Sequence, residues 1–320
     1  MVSEVAPLPG APELPPAYLV LGRAGSENFP VASRVLPRNV RADLMAVYGW
    51  ARLVDELGDN YAGDRLAALG EAERQLRLAL GGQPELGSHQ GLHPLIAGVA
   101  ELALRRGLPA KPLFDLLEAN RQDQRVTRYE TFDDLVGYCK LSANPVGRLV
   151  LGIFAAATPE RIAWSDKICT ALQLVEHWQD VAEDAVVGRI YLPQEDLRRF
   201  EVSEQELLPP PAPAGGLPQA RPSRACRALM AFEVARARRL LDEGKPLVGS
   251  LRGQLRLAVA AFVAGGHAAL DALAGTGFDI YAPTTHPAPR RFALQLAKLL
   301  AQPYRNAPRS LDLRELEANR

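Results

Sequence analysis

From about residue 37 onward, apolar positions recur every three or four residues. In 44–55 the positions Leu44, Val47, Tyr48, Ala51 and Val54 share one face, as an amphipathic helix requires. The same period predicts helices over 64–80, 92–106, 112–125, 131–142, 145–156, 159–184, 225–243, 250–274 and 289–302. GGQPELGS (81–88) separates two of them with turn-forming residues. Thr131 or Asp133 is placed to cap the helix over 131–142, and Thr158-Pro159 opens the one after 158 with a good cap and a proline at its first position. No alternating run makes a sheet, and no short repeat period is visible. The predicted fold class is all-α, a single domain of roughly ten or more helices.

Punctuation sets the boundaries. Residues 1–16 are rich in Pro and Ala and are expected to form a flexible N-terminus outside the core. QELLPPPAPAGGLPQARPSR (205–224) excludes a continuous helix and reads as a long surface loop inserted in a domain spanning 17–305. Residues 306–320 read as a C-terminal tail.

Composition narrows the function classes. Hydrophobic residues make up 48% and charged residues 23%, which is globular. Lys+Arg and Asp+Glu are both 37, so bulk charge offers no case for nucleic acid. The three scattered cysteines, Cys139, Cys169 and Cys226, form no CxxC pair, which fits a reducing cytoplasm better than a disulfide scaffold. The start lacks a signal-peptide pattern. LRLAVAAFVAGGHAAL (255–270) is too interrupted to span a bilayer and reads as buried helix, leaving a peripheral contact with the inner face of the membrane open. His89 and His93 stand four apart in HQGLH, but the pair carries a glycine and lacks the glutamate of H-E-x-x-H, which argues against zinc.

Two acid clusters carry the chemistry. In LVDELGDN (53–60), Asp55 and Asp59 stand four apart, and with Tyr48 and Arg52 they form one stripe. Carboxylates on successive turns can hold Mg²⁺, and an arginine one turn away can reach an anion on the same metal. Such a pair is also common on solvated helices. The second stretch, ALQLVEHWQDVAEDAVVGRIYLP (171–193), places Gln173, Glu176, Asp180 and Asp184 at spacings of three, four and four, predicting one face of one helix. No lysine or arginine lies between 168 and 188 to balance them. Facing carboxylates would clamp metals that neutralise a departing diphosphate, beside an apolar cavity that shields a carbocation.

SENFPVASRVLPRNVRADLMAVYGWARLVDELGD (26–59), YCKLSANPVGRLVL (138–151) and LQLVEHWQDVAEDAVVGRIYLPQEDLRRF (172–200) resemble the squalene/phytoene synthase family, and most resemble its bacterial hydroxysqualene synthase branch in hopanoid biosynthesis. The resemblance implies an all-α isoprenoid synthase bundle around a central apolar cavity, several Mg²⁺ ions and a prenyl diphosphate substrate. Asp55 and Asp59 match the family's first aspartate motif, and Asp180 and Asp184 its second. Arg52 matches the arginine before the first motif, Ser26 a diphosphate-binding serine, Tyr138 a cavity tyrosine near the reacting carbons, and Gln173 the glutamine before the second motif. Arg189 binds either diphosphate or the helix end, and Tyr48 either substrate or the core. Two departures stand out. Glu56 replaces a second aspartate, and Glu176 stands where the family has asparagine, adding a charge to the metal set.

The branch implies conversion of presqualene diphosphate and water to hydroxysqualene and diphosphate, with no NADPH. The implied partners are the prenyl diphosphate and other enzymes of the squalene or hopanoid pathway, through handover. Head-to-head condensation to presqualene diphosphate, phytoene or dehydrosqualene is the alternative within the family. A non-catalytic homologue that binds lipid or partner enzymes is the alternative outside it, kept open by Glu176.

Overall fold

The computed structural model describes residues 12–22, 37–81, 91–210, 221–282 and 289–301. Ser26 and the rest of the 26–36 segment, part of the 205–224 loop and the 306–320 tail lie outside the described residues. The described chain is all-α, as the periodicity predicts; its only extended pairing is an isolated bridge between Arg128 and Ile190.

The first half packs around one apolar cluster. Helices α1 (Ala17–Leu21), α2 (Arg38–Asp59), α3 (Arg65–Gly81), α4 (Pro94–Arg106) and α5 (Lys111–Asp123) surround Trp50, Leu53, Val54, Leu57, Leu69, Leu76, Ile96 and Leu113. Each large side chain buried here stabilises the fold by about 1.5–3 kcal/mol. The indole N–H of Trp50 donates to the Leu113 carbonyl at 3.2 Å and ties α2 to α5. Buried Asp43 accepts from Arg105 at 2.6 Å, so its charge is paired where α4 ends. Residues 12–16 lie against this half, with Glu13 and Pro15 bonded to Tyr61 and His93.

The second half comprises α6 (Phe132–Ser142), α7 (Asn144–Ile153), α8 (Pro159–Gln179), α9 (Val181–Val186), α10 (Gln194–Arg199), α11 (Arg224–Gly244), α12 (Pro246–Ser250), α13 (Gly253–Gly275) and α14 (Pro289–Leu300). Its cluster includes Leu174, Trp178, Leu229, Leu241 and Val263. Val150 of α7 and Phe154, which follows its last residue, pack against both clusters. Thr131, not Asp133, caps α6, in a reciprocal box with Asp134. Thr158 caps α8 ahead of Pro159.

One predicted helix starts later and another is broken. The helix predicted over 250–274 begins at Gly253, after extended Leu251 and Arg252, which separate it from α12. The stretch 159–184 ends at Gln179, because Asp180 leaves helical geometry at φ −108° and ψ 13° before α9 begins. The second acid cluster therefore spans a bend and does not lie on one straight face. Gly188 at φ 83° closes α9, and the Arg189 N–H returns to the Asp184 carbonyl at 2.8 Å. By length and composition α13 could cross a membrane, yet Leu255, Val259, Ala260, Val263 and Leu270 bury one side of it in the core.

Candidate active site

The C-terminal end of α2 and the α8–α9 bend converge on a polar cavity of about 310 Å³. Asp55 and Asp59 line it from one side, and Gln173, Glu176, Asp180, Asp184 and Arg189 from the other. Tyr138, Tyr191, Asn120, Asp123, Ser142 and His177 complete the lining. The two acid motifs, about 120 residues apart in the chain, thus face one space. Arg189 crosses it and donates to Asp59 at 3.1 Å.

Close helix approach positions the first motif. A Cβ on Gly58 would fall 2.0 Å from Asn120 Oδ1, so only glycine lets α5 come this near α2. Asn120 then donates to Asp55 Oδ1 at 3.3 Å. Tyr48 is buried in α2 and Arg52 stands 4.0 Å from Glu56; neither is among the residues lining the polar cavity. Ser26 lies outside the described residues.

Asp123 was not anticipated from the sequence. It accepts the Tyr138 hydroxyl at 2.7 Å and the Tyr191 hydroxyl at 3.5 Å. Its signal in the chain is slight: Asn120 and Asp123 share a face of α5 by their spacing of three. Burial raises the Asp123 carboxyl to about 6, against the pull of the two hydroxyls and Arg189. Burial and the Asp123 charge push the Tyr138 hydroxyl well above its ordinary value, so it stays protonated. His177 stacks on Tyr191 with centroids 3.7 Å apart, and burial lowers it to about 3. It is neutral and takes a packing role, 3.3 Å from the Gln173 amide nitrogen.

The second motif carries uncompensated charge. Burial, then neighbouring Asp180, raises Asp184 to about 7, with Arg189 opposing. Burial and Glu183 raise Asp180. A set of oxygen donors that resist ionisation for want of positive charge fits a hard divalent cation. Among the described residues no three His, Cys, Asp or Glu side chains are gathered closely enough to hold an ion by themselves. Mg²⁺ is ordinarily held by one or two carboxylates together with substrate phosphates.

A second cavity of about 230 Å³ adjoins the first. Val146, Val150, Phe154, Ile168, Leu172, Leu255, Val259 and Phe262 make its wall almost wholly apolar, as a central hydrocarbon chamber requires. Ser142, Gln173 and Glu176 line both cavities. Gly147 lines the apolar one and serves packing too, since a Cβ there would lie 2.4 Å from Ser165 Oγ.

A family model described as squalene/phytoene synthase matches residues 23–298. A hydroxysqualene synthase of Zymomonas mobilis is 36% identical over 206 residues, which are 58% of this chain and 65% of that relative. A 15-cis-phytoene synthase of Synechococcus elongatus is 32% identical over 80% of this chain and 82% of its own length. The crystal structure of squalene synthase HpnC from Alicyclobacillus acidocaldarius is 37% identical with a TM-score of 0.72, covering 83% of this chain and 94% of that one.

Proposed function

Because the chain belongs to the squalene/phytoene synthase family, we propose that it converts presqualene diphosphate and water to hydroxysqualene and diphosphate. The observation that carries this reading is the junction of the two cavities. An acid-lined space suited to a metal-bound diphosphate shares Ser142, Gln173 and Glu176 with an apolar one suited to isoprenoid hydrocarbon. Hydroxysqualene synthases among the relatives support the choice of branch.

In this reading Asp55, Asp59, Asp180 and Asp184, with Glu176, would hold Mg²⁺. When bound, Mg²⁺ neutralises the charge that develops on the departing diphosphate. Arg189 adds a fixed guanidinium on the same side. The C–O bond to diphosphate breaks, the cyclopropylcarbinyl cation opens, and the apolar wall keeps bulk water away from it. Tyr138, held by Asp123 with its proton retained, presents an aromatic face and hydroxyl to the reacting end. One water captures the allylic cation, and its proton passes to the released diphosphate. No reductant takes part, so NADPH is not consumed.

Purified protein with presqualene diphosphate and Mg²⁺ is expected to give hydroxysqualene and diphosphate, and chelation is expected to stop both. Product from farnesyl diphosphate alone would overturn this narrow assignment. It would support the condensation reading, which the 32% identity to a phytoene synthase favours.

A further inference from the structure

The junction of the two cavities holds one polar atom with an unmet need. The Ser142 Oγ is sealed from bulk solvent and makes no hydrogen bond. A serine in a helix ordinarily returns its hydroxyl to the carbonyl one turn back, here that of Tyr138, and Ser142 does not. Leaving a buried hydroxyl unpaired is unfavourable, and such atoms in native proteins mark bound water or chemistry. Ser142 is the last residue of α6 and lines both the acid-lined cavity and the apolar one. Gln173 and Glu176 are the other residues that do so.

Capture of a carbocation by water poses a positional problem. The cation must sit among hydrocarbon side chains, where free water would end the reaction early and at the wrong carbon. The nucleophilic water must therefore be a single held molecule at the edge of the apolar space. A held water needs two to four polar partners. In the apolar cavity, polar side chains are scarce, and those three at the junction are the ones that also face the departing diphosphate.

We infer that Ser142 is a specificity-determining residue that holds the product-forming water, with Gln173 and Glu176 completing the cradle. This inference rests on the reading of the site given above. Rotated about χ1 into the junction, the Ser142 hydroxyl accepts a hydrogen bond from the water, whose own lone pair then faces the cation. The water oxygen forms the new C–O bond, and the proton it sheds goes to the diphosphate released from the same substrate. Without the held water the cation instead loses a proton from an adjacent carbon to that diphosphate. The product is then a hydrocarbon, and no reductant is required in either case.

The test is a product analysis of wild type, Ser142→Ala and Ser142→Thr with presqualene diphosphate, Mg²⁺ and ¹⁸O-labelled water. Alcohol and hydrocarbon are each counted per diphosphate released. The expected result is labelled alcohol from wild type and a fall of about tenfold or more in the alcohol-to-hydrocarbon ratio for Ser142→Ala, on the scale of one lost hydrogen bond in a water-excluded site. Ser142→Thr, which keeps the hydroxyl, is expected to restore the ratio. A role in folding alone predicts a different pattern, loss of melting temperature; removal of an unpaired hydroxyl should leave the melting temperature unchanged or higher. An unchanged ratio in Ser142→Ala, with wild type still making alcohol, overturns the inference and leaves the proposed function standing. Hydrocarbon alone from wild type overturns both.

Discussion

Asp184 shows how one carboxylate serves two opposed demands. Burial and Asp180 raise it to about 7, while half-buried Asp123 rises to about 6, against 3.8 for an ordinary aspartate. Between 3.8 and those values these two carboxyls keep a proton in the folded chain that they lose in the unfolded one, so their contribution to stability falls as pH rises through the window; buried His177, lowered to about 3, works the opposite way below its ordinary 6.5. In metal-free buffer the melting temperature is expected to drop between about pH 6.5 and about pH 8, above the range in which unfolded histidines titrate, as followed by circular dichroism. Added Mg²⁺ with inorganic diphosphate is expected to reverse that drop at the alkaline end, where the carboxylates are ionised and can bind it. Asp184→Asn removes the desolvated charge. It is expected to raise the metal-free melting temperature above neutral pH by roughly 2–4 °C and flatten its pH slope. Diphosphate release in the same variant is expected to fall on the order of 100-fold, as measured by a coupled phosphate assay.

At the scale of elements, the site depends on how near α5 can come to α2. Gly58→Ala would drive a methyl into the Asn120 amide, at an expected cost of about 1–3 kcal/mol in urea unfolding. Asn120→Ala would forfeit the bond to Asp55 but clear that space. The double variant is expected to be less destabilised than the sum of the two, since the clash needs both partners. Much of this layout was legible in the chain. The three-four period located α2, and Thr131 and Thr158 announced two helix starts. The bend at Asp180 was not legible, because no glycine or proline interrupts 171–184 and the acid spacing runs straight through it. Asp123 was not legible either. It sits in EANRQDQR, which reads as a solvated face, and is engaged by Tyr138 of α6 and by Tyr191, from the segment after α9. Ser142 likewise looks like an ordinary residue at a helix end until two cavities meet beside it.

At the scale of the whole molecule, two apolar clusters meet at α7 and leave room for a hydrocarbon between α7, α8 and α13. The wall from α13 includes Ala258, whose small side chain contributes space. Ala258→Phe is expected to fill part of the roughly 230 Å³ chamber and to lower turnover of a thirty-carbon substrate about tenfold or more. Inorganic diphosphate with Mg²⁺ should bind that variant as it binds wild type, by isothermal calorimetry, because the acid-lined cavity is untouched. The comparison separates loss of chamber from loss of fold. It also tests whether the two cavities act as separate compartments for the two ends of one amphiphilic substrate.

The contact from Arg189 to Asp59 spans the mouth between the two acid motifs. It makes the guanidinium a resident counterion. A divalent cation arriving at Asp59 takes over the guanidinium's partner. The displaced guanidinium remains beside the space where an anion would sit, so metal binding frees a positive charge for that anion. The positive charge of the site then rises as metal loads, and added salt should loosen the grip on diphosphate.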